Sequence, residues 1–261
     1  NAIALISIQF NLAGAVGRPI GGVMMDRFGP ARCFLINGLS FAAVFVGLFA
    51  VDVRHVPSTS RKNMLRSLLE GFRSIRSSKV LKSLMLIALV CAFCGVPINL
   101  LLPVFAQDVF GLGAGGYGFM GFVLGVGAVL GALVVATLGD APRKGRNSLN
   151  TQFLLGLAML GFAVATHLWL GVATLFVCGG AILGVFTMIT SLVQLNVPDG
   201  MRGRIMSVHN TAFRGAMPLS NLVCGFVAER IGAGNALSIN AMILIAVAAW
   251  YMLSKNQVRD L

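Results

Sequence analysis

Few residues in this chain have the type and spacing to do chemistry. Cys91 and Cys94 form a Cys-x-x-Cys pair, the spacing of half a zinc site or of a redox dithiol. No second ligand pair accompanies them, and both lie within a long apolar run with Cys33, Cys178 and Cys224 on similar runs, so all five read as small packing residues. The stretch GLGAGG (111 to 116) fits Gly-x-Gly-x-x-Gly, but no strand precedes it, which removes nucleotide binding. A paired aspartate, a His-Glu-x-x-His, a Ser-His arrangement within the apolar runs and a Walker sequence are all missing. These patterns predict neither an enzyme nor an ATP-driven pump, and no metal or cofactor. What remains is a set of single polar residues embedded in apolar sequence: Arg214, Asn11, Arg18, Asn221 and Asn99. An ionisable group at membrane depth is expensive and is a functional candidate by default.

The elements that must position them are membrane helices. Of 261 residues, 57% are hydrophobic and 11% charged, and mean hydropathy is +0.88, outside the range of soluble globular domains. Crossing the hydrocarbon layer takes about 20 mostly apolar residues. Eight runs of that order cover residues 2–25, 33–52, 83–106, 117–138, 149–166, 168–194, 205–228 and 235–254. Runs of this length without strict alternation exclude a barrel, so the fold class is an all-α integral membrane protein with eight transmembrane helices. The division between the fifth and sixth rests on THLW (166 to 169) alone.

The net charge of +12 is sorted by connection. Eight basic residues lie between 54 and 82, with Arg143, Lys144 and Arg146, then Arg202 and Arg204, then Lys255 and Arg259 on alternate connections after it. Arg27, Arg32 and Arg230 fall on the other side. The positive-inside rule makes the first side cytoplasmic, with both ends of the chain there, in a multi-pass protein of the inner or plasma membrane. Basicity here is topology and argues against nucleic acid. Within the long connection, Leu65, Leu68, Leu69, Phe72 and Ile75 recur at helical spacing opposite Arg66, Glu70, Arg73 and Arg76, with Ser58 to Ser60 as capping candidates. This predicts an amphipathic helix on the inner membrane face, its cations near anionic lipid headgroups.

The chain also repeats itself. GVMMDRFG (22 to 29) and GFVAERIG (225 to 232) lie 203 residues apart. At that offset Phe10 meets Phe213, Asp26 meets Glu229, Gly29 meets Gly232 and Asn37 meets Asn240; Asn11 is the mate of Arg214, and Arg18 of Asn221. Spans one and two therefore correspond to spans seven and eight. The organisation expected is 1–53 as the last two helices of an N-terminal six-helix half, 54–82 as a cytoplasmic linker, and 83–261 as a complete C-terminal six-helix half. The chain opens on Asn1 inside an apolar run, and the arithmetic predicts about 120 further residues upstream, giving twelve spans in two halves as in major facilitator transporters.

The connections fit that superfamily. LLEGFRSIRSSKVLKSLMLI (68 to 87), LLPVFAQDVFGLGAGGYGFMGFVLGVGAVLGAL (101 to 133) and VPDGMRGRIMS (197 to 207) resemble the major facilitator branch that contains the enterobactin exporter and macrolide-efflux proteins, over essentially the whole chain as helices five to twelve. GDAPRKGR (139 to 146) resembles the superfamily's cytoplasmic signature. That implies a gating motif of Asp140, Arg143, Gly145 and Arg146, with Asp199, Arg202, Gly203 and Arg204 in the later connection. A carboxylate at Asp140 can latch such a gate on a helix end or an Arg. GAVGRPIGG (14 to 22) resembles the Gly-Pro-rich fifth-helix motif of exporters, with Arg18 as a departure from it. Gly14, Gly17, Gly21 and Gly22 permit close helix packing, and Pro19 bends the helix.

Arg214 lies ten residues into its expected span, about 15 Å deep, where it either faces a central cavity and an anionic or strongly polar substrate group or serves as a structural partner between helices. Asn11 faces it across the repeat axis, and Arg18 and Asn221 form a second pair, Arg18 balanced between cavity and outer headgroups. Asn99 sits on a span interrupted by Gly95, Pro97 and Pro103, where discontinuous helices expose backbone groups. Gln107, Thr187, Thr190, Ser191 and Gln194 are weaker candidates; Asn37 and Asn240 read as packing contacts, and His209 as a histidine at a span's inner end. All eight acids lie at span ends or in connections. The resemblance implies proton coupling, whose carboxylate is then expected upstream. The function expected is a secondary exporter, a proton antiporter of small amphiphilic molecules, working as a monomer by alternating access. The alternatives are an importer or metabolite transporter of the same superfamily, or a non-transporting membrane scaffold.

Overall fold

A computed structural model describes the backbone of residues 2–50, 64–137, 143–254 and 258; side chains at 2–16, 18, 19, 26 and 199 are among those outside the description. Among the described residues every regular element is helical. α1 spans Ala2–Ala50 with a joint at Gly29, α2 is Met64–Ser77, α3 Lys79–Val90 and α4 Ile98–Val104. α5 is Ala114–Thr137, α6 Lys144–Ala163, α7 Leu168–Leu195, α8 Asp199–Ile231 and α9 Ala233–Leu253.

Several boundaries differ from the sequence expectation for identifiable reasons. Ser78 caps α3, its Oγ accepting from the Leu81 N–H at 3.3 Å, so that helix begins at Lys79, ahead of the apolar run. α8 begins at Asp199, right after Pro198, because helical structure continues below the apolar stretch into charged sequence. The break between α6 and α7 falls at 164–167, at the THLW division. Five segments, Arg27–Gly47, Lys79–Val109, Ala114–Val135, Leu168–Leu195 and Ala233–Leu253, are long and apolar enough to cross a membrane. α6 and α8 have the length, but α6 opens on Lys144-Gly-Arg146-Asn147 and α8 carries Arg202, Arg204, Arg214, Glu229 and Arg230.

The repeat is visible in the backbone. Gly29 joins the two parts of α1 at φ 75°, ψ 165°, and Gly232 joins α8 to α9 at φ 89°, ψ 152°. Both lie in a region that only glycine enters freely. Gly29 and Gly232, mates in the repeat, thus make the same turn.

The core lies among α3 to α9 and the turn after α4, where Leu84, Ile98, Phe105, Met120, Phe162, Ile189 and Leu244 are fully enclosed. Phe110 of the α4–α5 connection packs on Phe162 with ring centres 6.4 Å apart and meets Gly171 of α7, closing one end of the bundle. Hydrophobic burial gives little drive between helices in lipid, so close approach must supply the attraction. α5 and α7 achieve it through Gly127 and Gly131 against Gly179 and Gly180, where backbones touch. α1 docks on α5 through Gly22, at which an added Cβ would stand 2.8 Å from the Ala114 carbonyl and 3.2 Å from Gly118 Cα. No residue of the apolar window Arg27–Gly47 is buried.

Candidate functional site

The span beginning at Lys79 is not a continuous α-helix. Between α3 and α4 the chain runs through a π-helical turn, Cys91–Gly95, and a turn at Val96 and Pro97; a second π-helical turn, Phe105–Val109, follows α4 and its internal Pro103. Pro97 has no N–H to offer the Phe93 carbonyl four residues earlier. The Ser220 hydroxyl of α8 donates to that carbonyl instead, and Ser220 is buried. The interruption expected from Gly95, Pro97 and Pro103 is therefore real, and it is tied to α8. Asn99, half-buried on the first turn of α4, donates through Nδ2 to the Val96 carbonyl at 3.3 Å. Gly225 of α8 lies against Leu100, so Asn99's helix runs beside the latter part of α8.

α8 buries one stripe, Ile205, His209, Ala216, Ser220 and Cys224. Arg214 lies two residues from Ala216 and so about half a turn away from that stripe, near the middle of the 33-residue helix. Its side chain is exposed and has no hydrogen-bond or ion-pair partner among the described residues. Asn221, seven residues on, shares Arg214's side of the helix, and its Oδ1 is enclosed without a hydrogen-bond partner. Asn11, Gly14, Arg18 and Pro19 lie on α1, but their side chains fall outside the described residues, as does that of Asp199 and all of Asp140. Of the packing glycines, Gly22 makes the close contact with α5, whereas a Cβ at Gly17 or Gly21 would meet nothing within 4 Å.

His209 is not at a helix end: α8 begins at Asp199, ten residues before it and six before the apolar run, so His209 sits on the third turn, and it is buried. Its Nε2 is 3.3 Å from Thr190 Oγ1 of α7, its Nδ1 is 3.4 Å from Met85 Sδ of α3, and its ring stacks on Phe186 with centres 5.9 Å apart. Thr190 also donates to the Phe186 carbonyl at 2.7 Å, the bond to its own helix expected of a buried hydroxyl. Asn240 contacts Cys224 Sγ at 3.5 Å, in keeping with a packing role between α8 and α9.

At the basic end, Arg204 Nη1 donates to Glu70 Oε2 at 2.6 Å, joining α8 to α2 across 134 positions. Gly71 fits beneath this pair: a Cβ there would lie 2.9 Å from the Arg204 carbonyl and 3.0 Å from Val208 Cγ2. Ile75 is buried at the same contact, while Leu69 and Phe72 stay exposed. Arg143, Gly145 and Arg146 open α6, with Arg143 in a left-handed conformation at φ 67°, unusual for a residue with a side chain, and Gly145 buried. Gly203 and Arg202 are exposed on the first turn of α8.

No pattern in the sequence marks the Glu70–Arg204 and Ser220–Phe93 contacts, which pair residues more than a hundred positions apart. The α5–α7 seam did carry a signal, the Gly-x-x-x-Gly of Gly127 and Gly131.

Residues 1–260 match a family described as transmembrane secretion effector, one of the major facilitator families. The chain is similar to the multidrug efflux pump Tap of Mycolicibacterium fortuitum, 24% identical over 258 residues that cover 96% of this chain and 63% of the relative. It is similar to macrolide efflux protein A of Streptococcus pyogenes, 22% identical over 71% of this chain and 46% of the relative. An enterobactin exporter of Shigella boydii is 26% identical over 77% of this chain and 48% of the relative. The chain thus spans about half to under two thirds of the length of these curated relatives.

Proposed function

The chain belongs to the major facilitator superfamily, in its family of transmembrane secretion effectors, and from that premise we propose that it acts in a secondary exporter of small amphiphilic molecules. Membership places it among transporters rather than enzymes, in a multi-pass helical membrane protein. Export is the reading that the efflux relatives support. In this proposal the chain supplies eight spans, the last two helices of one six-helix half and all six of the other, and substrate crosses between the halves by their rocking. Both ends of the chain are cytoplasmic, the transporter works as a monomer, and protons drive it as an antiporter in the cell membrane.

The observation that carries the substrate reading is Arg214: exposed, unpartnered among the described residues, and turned from α8's buried stripe at mid-helix. A guanidinium facing hydrocarbon at that depth is costly, whereas one facing a water-filled cavity is hydrated until an anionic or strongly polar group reaches it. Asn221, with an enclosed and unpaired carbonyl oxygen on the same side, adds an acceptor. We assign these two, with Asn99, Asn11 and Arg18, to the substrate path. Asp140, Arg143, Gly145, Arg146, Asp199, Arg202, Gly203 and Arg204 form the cytoplasmic gate.

The test is export from cells carrying the full-length protein with Arg214→Ala or Arg214→Lys. Arg214→Ala abolishes or redirects export while membrane insertion is retained, and Arg214→Lys keeps part of it for anionic substrates. Unchanged transport of every substrate by Arg214→Ala removes Arg214 from the site.

A further inference from the structure

Between α2, α3 and α8 lies a groove of about 310 Å³, the size of a small ligand pocket. Its interior is apolar, formed by Phe72 of α2, Met85 and Leu89 of α3, and Ala212 of α8. Its only charged lining residues are two cations, Arg76 near the end of α2 and Lys82 on the first turn of α3, both exposed. From Lys82 to Leu89 is two helical turns, about 10 Å of depth running from charge to hydrocarbon. The one acid on α2, Glu70, faces the other way and is held by Arg204. Among the described residues, the groove therefore presents net positive charge at its mouth with no acid lining it.

We propose that this groove is a binding site for one anionic phospholipid, its phosphate between Arg76 and Lys82 and an acyl chain along Phe72, Met85, Leu89 and Ala212. A lipid is the occupant that matches both ends of the groove at once. Its charged group lies at the level where α2, with Leu69 and Phe72 exposed beside Arg73 and Arg76, meets the membrane surface. A soluble anion has no use for the apolar wall, and a neutral amphiphile has none for the two cations. The site goes beyond diffuse attraction between a basic helix and an acidic bilayer, because it asks for two particular cations and a clear apolar channel. It depends on membrane residence and on neither the direction nor the coupling of transport.

The test is native mass spectrometry of the full chain in micelles doped with equal amounts of phosphatidylglycerol and phosphatidylcholine. The wild type retains phosphatidylglycerol preferentially. Arg76→Gln with Lys82→Gln lowers that retention on the order of tenfold. Ala212→Phe, which fills the groove and keeps both cations, lowers it comparably. Arg73→Gln with Lys79→Gln removes the same charge from exposed neighbouring positions and leaves retention as in the wild type. Equal loss from both charge pairs reduces the effect to surface electrostatics and overturns the site. So does full retention by Ala212→Phe, or wild-type retention of phosphatidylcholine equal to that of phosphatidylglycerol.

Discussion

The hydroxyl of Ser220 on α8 donates to the carbonyl of Phe93, the oxygen that Pro97 leaves without its helical partner. The break in the span is thereby fastened to a neighbouring helix. Ser220→Ala removes the donor from a buried acceptor and costs about 1 kcal/mol, toward the low end for a buried carbonyl because membrane hydrogen bonds are modest. Pro97→Ala restores an N–H in the right register. Thermal unfolding of the two single variants and the double variant then shows a non-additive cycle, the Ser220 change costing less when Ala occupies position 97. Additive losses would mean that the hydroxyl does not replace the missing N–H.

Gly29 and Gly232 share a backbone conformation that side chains do not tolerate. Neither has any atom within 4 Å of an added Cβ, so substitution there tests backbone strain without steric contact. Gly232→Ala and Gly29→Ala each lower stability by about 1–3 kcal/mol. Gly215→Ala, on a helical stretch with equally open space, is neutral or raises stability by up to about 1 kcal/mol through helix propensity. A loss at Gly215 matching that at Gly232 would contradict the assignment.

How much of this was legible in the sequence depends on the kind of signal. The all-helical class was readable because lipid demands long apolar runs, and the THLW division and the Gly29 and Gly232 joints lie where the residues place them; helix starts were less so, because α3 and α8 begin ahead of their apolar runs. The place of Arg214 near the middle of its helix was readable from its position in the apolar run. The direction in which it points was not, because lipid and protein interior are equally apolar and a membrane helix carries little amphipathic pattern to mark its packed face. His209 read as a helix-end residue because the apolar run was taken as the helix, whereas α8 begins at Asp199, six residues before that run. Glu70 looked like one more solvated charge on an amphipathic wheel, and only tertiary structure pairs it with Arg204.

The docking of α2 on α8 separates two contributions that touch the same residue. In the Glu70–Arg204 pair the side chains are 38% and 29% exposed, so the ion pair is screened and is worth less than about 1 kcal/mol. Gly71, in contrast, holds the backbone approach. Glu70→Gln leaves unfolding nearly unchanged, whereas Gly71→Val pushes α2 off α8 and frees a spin label placed at Leu69. Equal release by the two variants would shift the main contribution to the charge pair.

The seam between α5 and α7 holds the two helices together by backbone contact. At Gly131 an added Cβ runs into the backbone of Gly180, which has no side chain to move aside. At Gly184, one helical turn further along α7, the nearest atoms are Thr151 Cγ2 at 3.4 Å and Val135 Cγ2 at 3.6 Å, an ordinary contact. Gly131→Ala therefore costs about 1–3 kcal/mol or more and lowers the yield of monodisperse protein, whereas Gly184→Ala is tolerated. The contrast bears on the proposed rocking of two halves, which would require each half to move as one body. A tolerated Gly131→Ala with normal yield would mean that α5 and α7 can separate by enough to admit a methyl group, and the seam would then be a place where the half bends.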